Sequence, residues 1–435
     1  MKEQNLSITK TNLFDLLCAT STLKKAFKVV RGNRGASGID GVTIREFEAN
    51  LTEELHQIKK ELEDWTYSPK PVRRVEIPKP SGGKRMLGIP CVRDRIVQAA
   101  IKLLLEPTLD RQFSEHSYGF RPNRSQKDAI MAAREIVKSG KEYVVDIDLS
   151  KFFDRINHDK LIARLGKQIS DKRILRIIGK TLRSGTMDEG LFKPSHEGSV
   201  QGSPLSPLLS NVTLDELDKE LESRNLEFCR YADDCNIFVK TSKASERVMQ
   251  SISKFIEGKL KLKVNKEKSK VALSKHVKFL GFTIIAATIA ISTTSMSRAM
   301  ARVKELTPRG TNRTLEQDVK RINRWYMGWS AYYRITQYPS QLGKIEAHIR
   351  RRIRARIVKQ QKTSRNLFNK LRKRGCPSRQ AGIAFSNRGV WDLSHTRAVE
   401  KAFPNKWFIE DLNLKIRSDE QRPEWFDPRQ WIKLM

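Results

Sequence analysis

The chain has 435 residues, with 84 Lys and Arg against 49 Asp and Glu, a formal charge of +35 and a pI near 10.1. That excludes an ordinary neutral metabolic enzyme and makes a polyanion, nucleic acid first, the expected partner. With 38% hydrophobic and 8% aromatic residues the chain is not disordered as a whole, and at roughly 150 residues per domain its length suggests two or three domains.

Apolar spacing from Leu13 to about Lys28 predicts a helix, after which NRGASGIDG (Asn33 to Gly41) is a glycine-rich loop. A plain connector and a backbone that must lie against a phosphate or sugar both fit it. A helix follows near Glu53 to Trp65. Alternation in Val72 to Ile77 and in Arg85 to Ile89, around Pro80-Ser81-Gly82-Gly83, reads as a β-hairpin. Lys79 and Arg85 flank its turn, where they could grasp a triphosphate, although a solvated hairpin carries the same charges.

A helical segment, Val92 to Leu109, leads to the turn HSYGFRPNRS (His116 to Ser125) and a helix around Asp128 to Lys138. YVVDIDLSKFFDRINHDKL (Tyr143 to Leu161) opens as a buried strand that carries Asp146 and Asp148, two apart and therefore on one side. Carboxylates in an apolar strand need a positive partner, so a cation is implied. VQGSPLSPLLSNVTLDELDKELE (Val200 to Glu222) is a proline-punctuated turn feeding a helix. FCRYADDCNIFVK (Phe228 to Lys240) reads as a hairpin with Asp233 and Asp234 at its turn. A helix (Ala244 to Leu260) and the strand-like HVKFLGFTII (His276 to Ile285) follow.

Composition changes after about Ser297: from Ala301 to Gln380 there are 22 Lys and Arg against 4 Asp and Glu, net +18, about half the total excess. This reads as a separate helical domain. Its stripe HIRRRIRARIVKQ (His348 to Gln360) is expected to touch nucleic acid. For most of Trp325, Trp329, Tyr332 and Tyr333 a core position is the expectation. The five cysteines (Cys18, Cys91, Cys229, Cys235, Cys376) lack CxxC or zinc spacing, which fits a reducing compartment. The N-terminus has no apolar signal core, and the longest apolar stretch, Gly281 to Ile291, is too short to span a bilayer. The expected location is cytoplasmic, with no membrane partner.

Three carboxylates stand out: Asp148 in the strand, and Asp233 with Asp234 at the hairpin turn. Like charges this close repel. Two Mg2+ ions would relieve that repulsion, activate a 3′-hydroxyl and stabilise a pyrophosphate leaving group, which is nucleotidyl transfer.

In order along the chain these residues resemble the group II intron reverse transcriptases, also called intron-encoded maturases. Asn33 to Gly41 is similar to the family's N-terminal extension loop, Pro71 to Pro90 to its fingers hairpin, and Tyr118-Gly119-Phe120-Arg121-Pro122 to its template-contacting block. Asp148-Leu149-Ser150-Lys151-Phe152-Phe153-Asp154 resembles the first metal-binding motif, and Gln201-Gly202-Ser203-Pro204-Leu205-Ser206-Pro207 the nucleotide-pocket motif. Tyr231 to Asp234 resembles the catalytic turn, and Phe279-Leu280-Gly281-Phe282 the primer grip. The likeness covers roughly residues 10 to 410.

The resemblance implies an α+β right-hand polymerase, with fingers and palm built from antiparallel sheet plus helices and an α-helical thumb, called domain X. The expected divisions are 1–70 (N-terminal extension and start of the fingers), 71–296 (fingers and palm), 297–390 (thumb) and 391–435 (a short basic, DNA-binding-like tail). Asp148, Asp233 and Asp234 would be catalytic and hold the metals with the Leu149 carbonyl; Asp146 is the competing choice, and Asp148 has the family's distance to Phe-Phe-Asp. Lys79, Arg85, Phe153 and Gln201 would bind the nucleotide, with Phe153 the ring that excludes a 2′-hydroxyl. Arg121, Phe279, Leu280, Gly281, Arg351 and Arg352 would contact primer or template. The implied partners are group II intron RNA, an RNA template with a DNA primer, dNTPs and target DNA. The protein would work as a monomer or homodimer, near the nucleoid or in an intron ribonucleoprotein.

The tail lacks the paired cysteines and histidines of an HNH endonuclease, which with Tyr-Ala-Asp-Asp-Cys and Phe403-Pro404-Asn405-Lys406-Trp407 is most like the bacterial class C branch. Ser203 stands where many relatives have glycine. Two alternatives stay open: a maturase that binds intron RNA without polymerising, and a free-standing relative serving host DNA repair or phage defence.

Overall fold

Helical spacing of apolar residues builds the start of the chain. In the computed structural model, which describes residues 12–78, 82–188, 191–195 and 197–417, helices Leu13–Cys18 and Thr20–Gly32 bury Leu17, Leu23 and Phe27. Helix Leu51–Glu63 buries Leu55, Ile58 and Leu62. These pack on helix Val92–Leu109 in one core. The glycine-rich loop lies back on that same helix. A Cβ on Gly38 would stand 2.6 Å from the Cys91 Cα, and one on Gly35 2.5 Å from the Arg95 guanidinium. The close approach that glycine permits here is to the protein itself.

The strands in chain order are β1 (Val72–Pro78), β2 (Lys84–Ile89), β3 (Tyr143–Ile147), β4 (Thr186–Asp188), β5 (Leu191–Lys193), β6 (Glu227–Tyr231), β7 (Asp234–Val239), β8 (Lys270–Leu273), β9 (Phe282–Ile285) and β10 (Thr288–Ile291). One sheet runs β2-β1-β4-β5, and a second β6-β7-β3-β8. The second is antiparallel throughout. Val145, Ile147, Cys235 and Ile237 join the core beneath it, together with Leu208, Leu214 and Leu217 of helix Ser206–Ser223. Strand alternation therefore sends Asp146 to the opposite face, across from Asn236.

The chain divides into two units, residues 1–273 and 274–435. The second has its own core, built from helices Thr293–Leu306, Leu315–Tyr333, Pro339–Gln360 and the short helices after them. By this division β9, β10 and the Phe279–Phe282 turn fall in the second unit, ahead of the division expected at 297. The expected tail moves too, since Leu393, Val399, Phe403 and Phe408 are core residues of that unit; the rest of it, from 418 on, lies outside the described residues. The protein is α+β. All five cysteines are free and buried, and among the described residues no helix is long and apolar enough to cross a membrane.

Candidate active site

The β6–β7 hairpin closes with Tyr231 opposite Asp234, so Ala232 and Asp233 are its two turn residues. Ala232 has φ +58°, which mirror-image hairpin turns require at their first central position. An alanine held there costs roughly 1–2 kcal/mol. Asp148 follows β3. Its amide donates to Ser269 Oγ at 3.0 Å, its carbonyl accepts from the Asn265 amide at 2.8 Å, and Leu149 bridges to Val264. The segment after β3 is thereby tied to residues 263–269.

The sheet brings the acids to one face. Burial, and then the Asp148 charge, raise the Asp233 carboxyl above its ordinary range against a pull from Arg85. Burial pushes Asp146 up to about 6, with Asp234 and Asp148 adding to the push and Lys270 opposing it. Lys268 Nζ stands 4.0 Å from Asp148 Oδ2. Asp146, the competing choice, thus belongs to the same group as the chosen three. As the side chains stand, no three His, Cys, Asp or Glu among the described residues close on one point. Mg2+ rarely asks for that: it is held by one or two carboxylates plus waters and substrate phosphates. Carboxylates that burial and mutual repulsion push upward fit such an ion.

The first unit places the other expected residues as follows. Phe153, half-buried, makes an edge contact with Phe152 at 5.2 Å, and its carbonyl accepts from the Ser199 amide at 2.6 Å. The Gln201 carbonyl accepts from the Gly88 amide of β2 at 2.9 Å. A Cβ on Gly202, φ +115°, would lie 2.7 Å from the Gly88 carbonyl. Ser203, in place of the family's glycine, donates to buried Gln98 at 2.7 Å. Gln201 also lines a cavity of about 700 Å³ with Arg74, Lys151, Asp154, Arg155 and Lys193. Lys79 lies outside the described residues.

In the second unit, Phe279 and Phe282 exchange backbone hydrogen bonds of 2.9 Å across Leu280 (φ +50°) and Gly281 (φ +87°). Tyr332 donates to the Leu280 carbonyl at 2.7 Å, and a Cβ on Gly281 would stand 2.7 Å from Tyr333 Oη. The Phe279–Phe282 turn is thus fixed by the aromatics of helix Leu315–Tyr333. Of the four aromatics expected in the core, Trp325 and Trp329 are half-buried and pack against it, Tyr333 is half-buried and Tyr332 is exposed; the fully buried ring of this helix is Tyr326.

Three of the residues expected to contact primer or template have partners inside the fold. Arg121 is buried, donating to Asp110 Oδ1 at 2.7 Å and to the carbonyls of Asp110, Ser114 and Ser117. It shapes the template-block turn from inside. Arg352 is buried, with Nε donating to Thr307 Oγ1 at 2.9 Å and a terminal nitrogen to the Thr307 carbonyl at 2.6 Å. It caps the C-terminal end of helix Thr293–Leu306. Arg351 stacks 4.1 Å from the Trp391 ring centre. Arg354 and Arg356 are buried as well, so half of the six arginines and lysines in the stripe face inward, while Arg350 and Arg351 are half-buried and Lys359 is exposed.

Comparison with known proteins accounts for both units. The reverse transcriptase (RNA-dependent DNA polymerase) family matches residues 77–284, and the group II intron, maturase-specific domain matches residues 296–375. Protein YkfC of Escherichia coli (strain K12) is 35% identical over 323 residues, 64% of this chain and 84% of that protein. The chain belongs to the group II intron reverse transcriptases. Group II intron-encoded protein LtrA of Lactococcus lactis subsp. cremoris is 28% identical over 348 residues, 65% of this chain and 58% of LtrA. The putative COX1/OXI3 intron 1 protein of Saccharomyces cerevisiae is 34% identical over 223 residues, 51% of this chain and 26% of that protein. This reverse transcriptase therefore spans most of the bacterial YkfC but only part of the longer intron proteins.

Sequence reasoning missed the supports of the site: Ser269 and Asn265 under Asp148, and Arg230 under the turn. One signal was available. An arginine inside the apolar strand FCRY calls for a buried acid elsewhere in the chain.

Proposed function

We propose that this reverse transcriptase extends a DNA primer along an RNA template with dNTPs, and that it also assists the splicing and mobility of a group II intron from within an intron ribonucleoprotein. The single observation that supports the polymerase reading is that these acids lie near enough to act on one another: Asp148 on Asp233, and Asp234 with Asp148 on Asp146. These carboxylates, with the Leu149 carbonyl, would hold two Mg2+, which when bound supply Lewis-acid help to the attacking 3′-hydroxyl and the pyrophosphate leaving group. Arg85, whose charge already reaches Asp233, and Lys79 would neutralise the triphosphate; Gln201 and Phe153 would line the sugar side of the nucleotide. The Phe279–Gly281 turn would hold the primer end. Intron RNA is the proposed partner of the maturase-specific domain.

The test is primer extension on an RNA template, wild type beside Asp233→Ala, with and without EDTA. Extension by the wild type that both the substitution and the chelator abolish is the expected result. RNA binding without any Mg2+-dependent product would leave a maturase that only grips RNA.

A further inference from the structure

A fully buried ion pair lies directly under the catalytic turn. Arg230 of β6 pairs with Cys235 across the hairpin, so it faces the core side of the sheet, away from the acids. There it meets Asp218 of helix Ser206–Ser223 in a forked pair, Nε to Oδ1 at 2.7 Å and a terminal nitrogen to Oδ2 at 2.5 Å. Both side chains have 0% exposure. The remaining terminal nitrogen donates to the Ala232 carbonyl at 2.9 Å and to Asn211 Oδ1 at 3.2 Å. Asn211 in turn donates to the Gly119 carbonyl at 2.9 Å. A Cβ on Gly119 would stand 2.2 Å from the Ala232 nitrogen. The Tyr118 amide donates to the Arg230 carbonyl at 2.8 Å, and the Arg230 amide to the His116 carbonyl at 2.9 Å.

A buried ion pair is a poor source of net stability, because desolvation of both charges offsets their attraction; an apolar pair of similar volume often serves a fold as well. What an apolar pair cannot do is hold a carbonyl. Here the carbonyl held belongs to the one turn residue at positive φ, immediately before Asp233, and the other side of that residue is closed by Gly119. We propose that Arg230, oriented by Asp218 and Asn211, is a positioning residue: it clamps the strained Ala232 peptide so that Asp233 and Asp234 keep their place for nucleotidyl transfer. This rests on the polymerase reading above. Arg230 is on the core face, so the clamp acts through the turn's backbone, beside the direct pull of its charge on Asp233.

The experiment compares full-length wild type with the double variant Arg230→Met/Asp218→Leu in steady-state primer extension, alongside thermal melts. The expected result is a melting temperature near that of the wild type, an unchanged KM for dNTP and a kcat lower by about a hundredfold, the order that a misplacement of about 1 Å produces. Gly119→Ala, which presses the same peptide from the other side and leaves the ion pair whole, should likewise lower kcat at unchanged KM. Wild-type kcat in either folded variant overturns the clamp, as does a double variant that fails to fold, because the pair would then serve stability first. Wild-type protein without any extension activity would instead remove the polymerase reading itself.

Discussion

Two charge-rich regions behave in opposite ways. On the β6-β7-β3-β8 sheet four carboxylates gather, and burial with mutual repulsion lifts Asp233 and Asp146. On helix Pro339–Gln360 the arginines that look most like a nucleic-acid contact are answered internally. Arg352 meets Thr307, Arg354 the Phe403 carbonyl at 2.8 Å, and Arg356 the carboxylate of Asp318. Density of charge along a chain does not by itself mark a ligand site, because folding can answer it internally.

The comparison is broken most directly by exchanging one carboxylate from each region. Asp148→Asn keeps the shape and removes the charge, and should lower primer extension by on the order of a thousandfold or more while the melting temperature holds or rises. A retained rate would strip the sheet face of its catalytic meaning. Asp318→Ala should do the reverse. It is buried with Arg356, and Arg313 Nε reaches it at 2.6 Å, so its loss leaves Arg356 uncompensated and destabilises the helical unit by about 3–5 kcal/mol. Denaturant unfolding reads this directly, and an unchanged midpoint would show that the inward arginines are not held as described.

A smaller effect separates selection from chemistry within the first region. Phe153 is uncharged and half-buried, packed on Phe152 and with its backbone pinned through Ser199. Phe153→Val should leave dNTP incorporation nearly intact and relax discrimination against ribonucleotides by roughly 10–200-fold, the range one pocket contact commands. Single-nucleotide incorporation of dNTP beside rNTP measures it; unaltered discrimination places the selecting contact elsewhere.

Much of this was legible from sequence. Helix Val92–Leu109, the β1–β2 hairpin and the β6–β7 hairpin stand where periodicity and turn chemistry put them, because each is a local pattern. The meeting of Asp148 with Asp233 was legible only through the order of the motifs, since spatial pairing of β3 with β7 leaves no local trace. What was not legible is which charges turn inward. Arg121 and Arg352 look like solvated cations in sequence, and their partners (Asp110 and Thr307) lie 11 and 45 residues away. The glycine-rich loop shows the same limit: spacing reveals a close approach, not whether a ligand or the Cys91 backbone is approached.

The subtlest consequence concerns salt. Each phosphate contact by a cation releases counterion and steepens the fall of log affinity with log salt concentration by about 0.9 on duplex DNA and about 0.7 on single strands. A cation already bonded inside the fold adds nothing to that slope. Arg352→Met should therefore leave the salt dependence of RNA template binding unchanged, whatever it does to stability. Lys344 and Lys359 occupy the same helix with exposed side chains, and replacing both with Ala should flatten the slope by about 0.7 for each phosphate they touch. If Arg352→Met flattens it as much as the lysine pair does, the guanidinium reaches RNA in the complex after leaving Thr307, and the internal account of the basic helix gives way to one in which binding turns it outward.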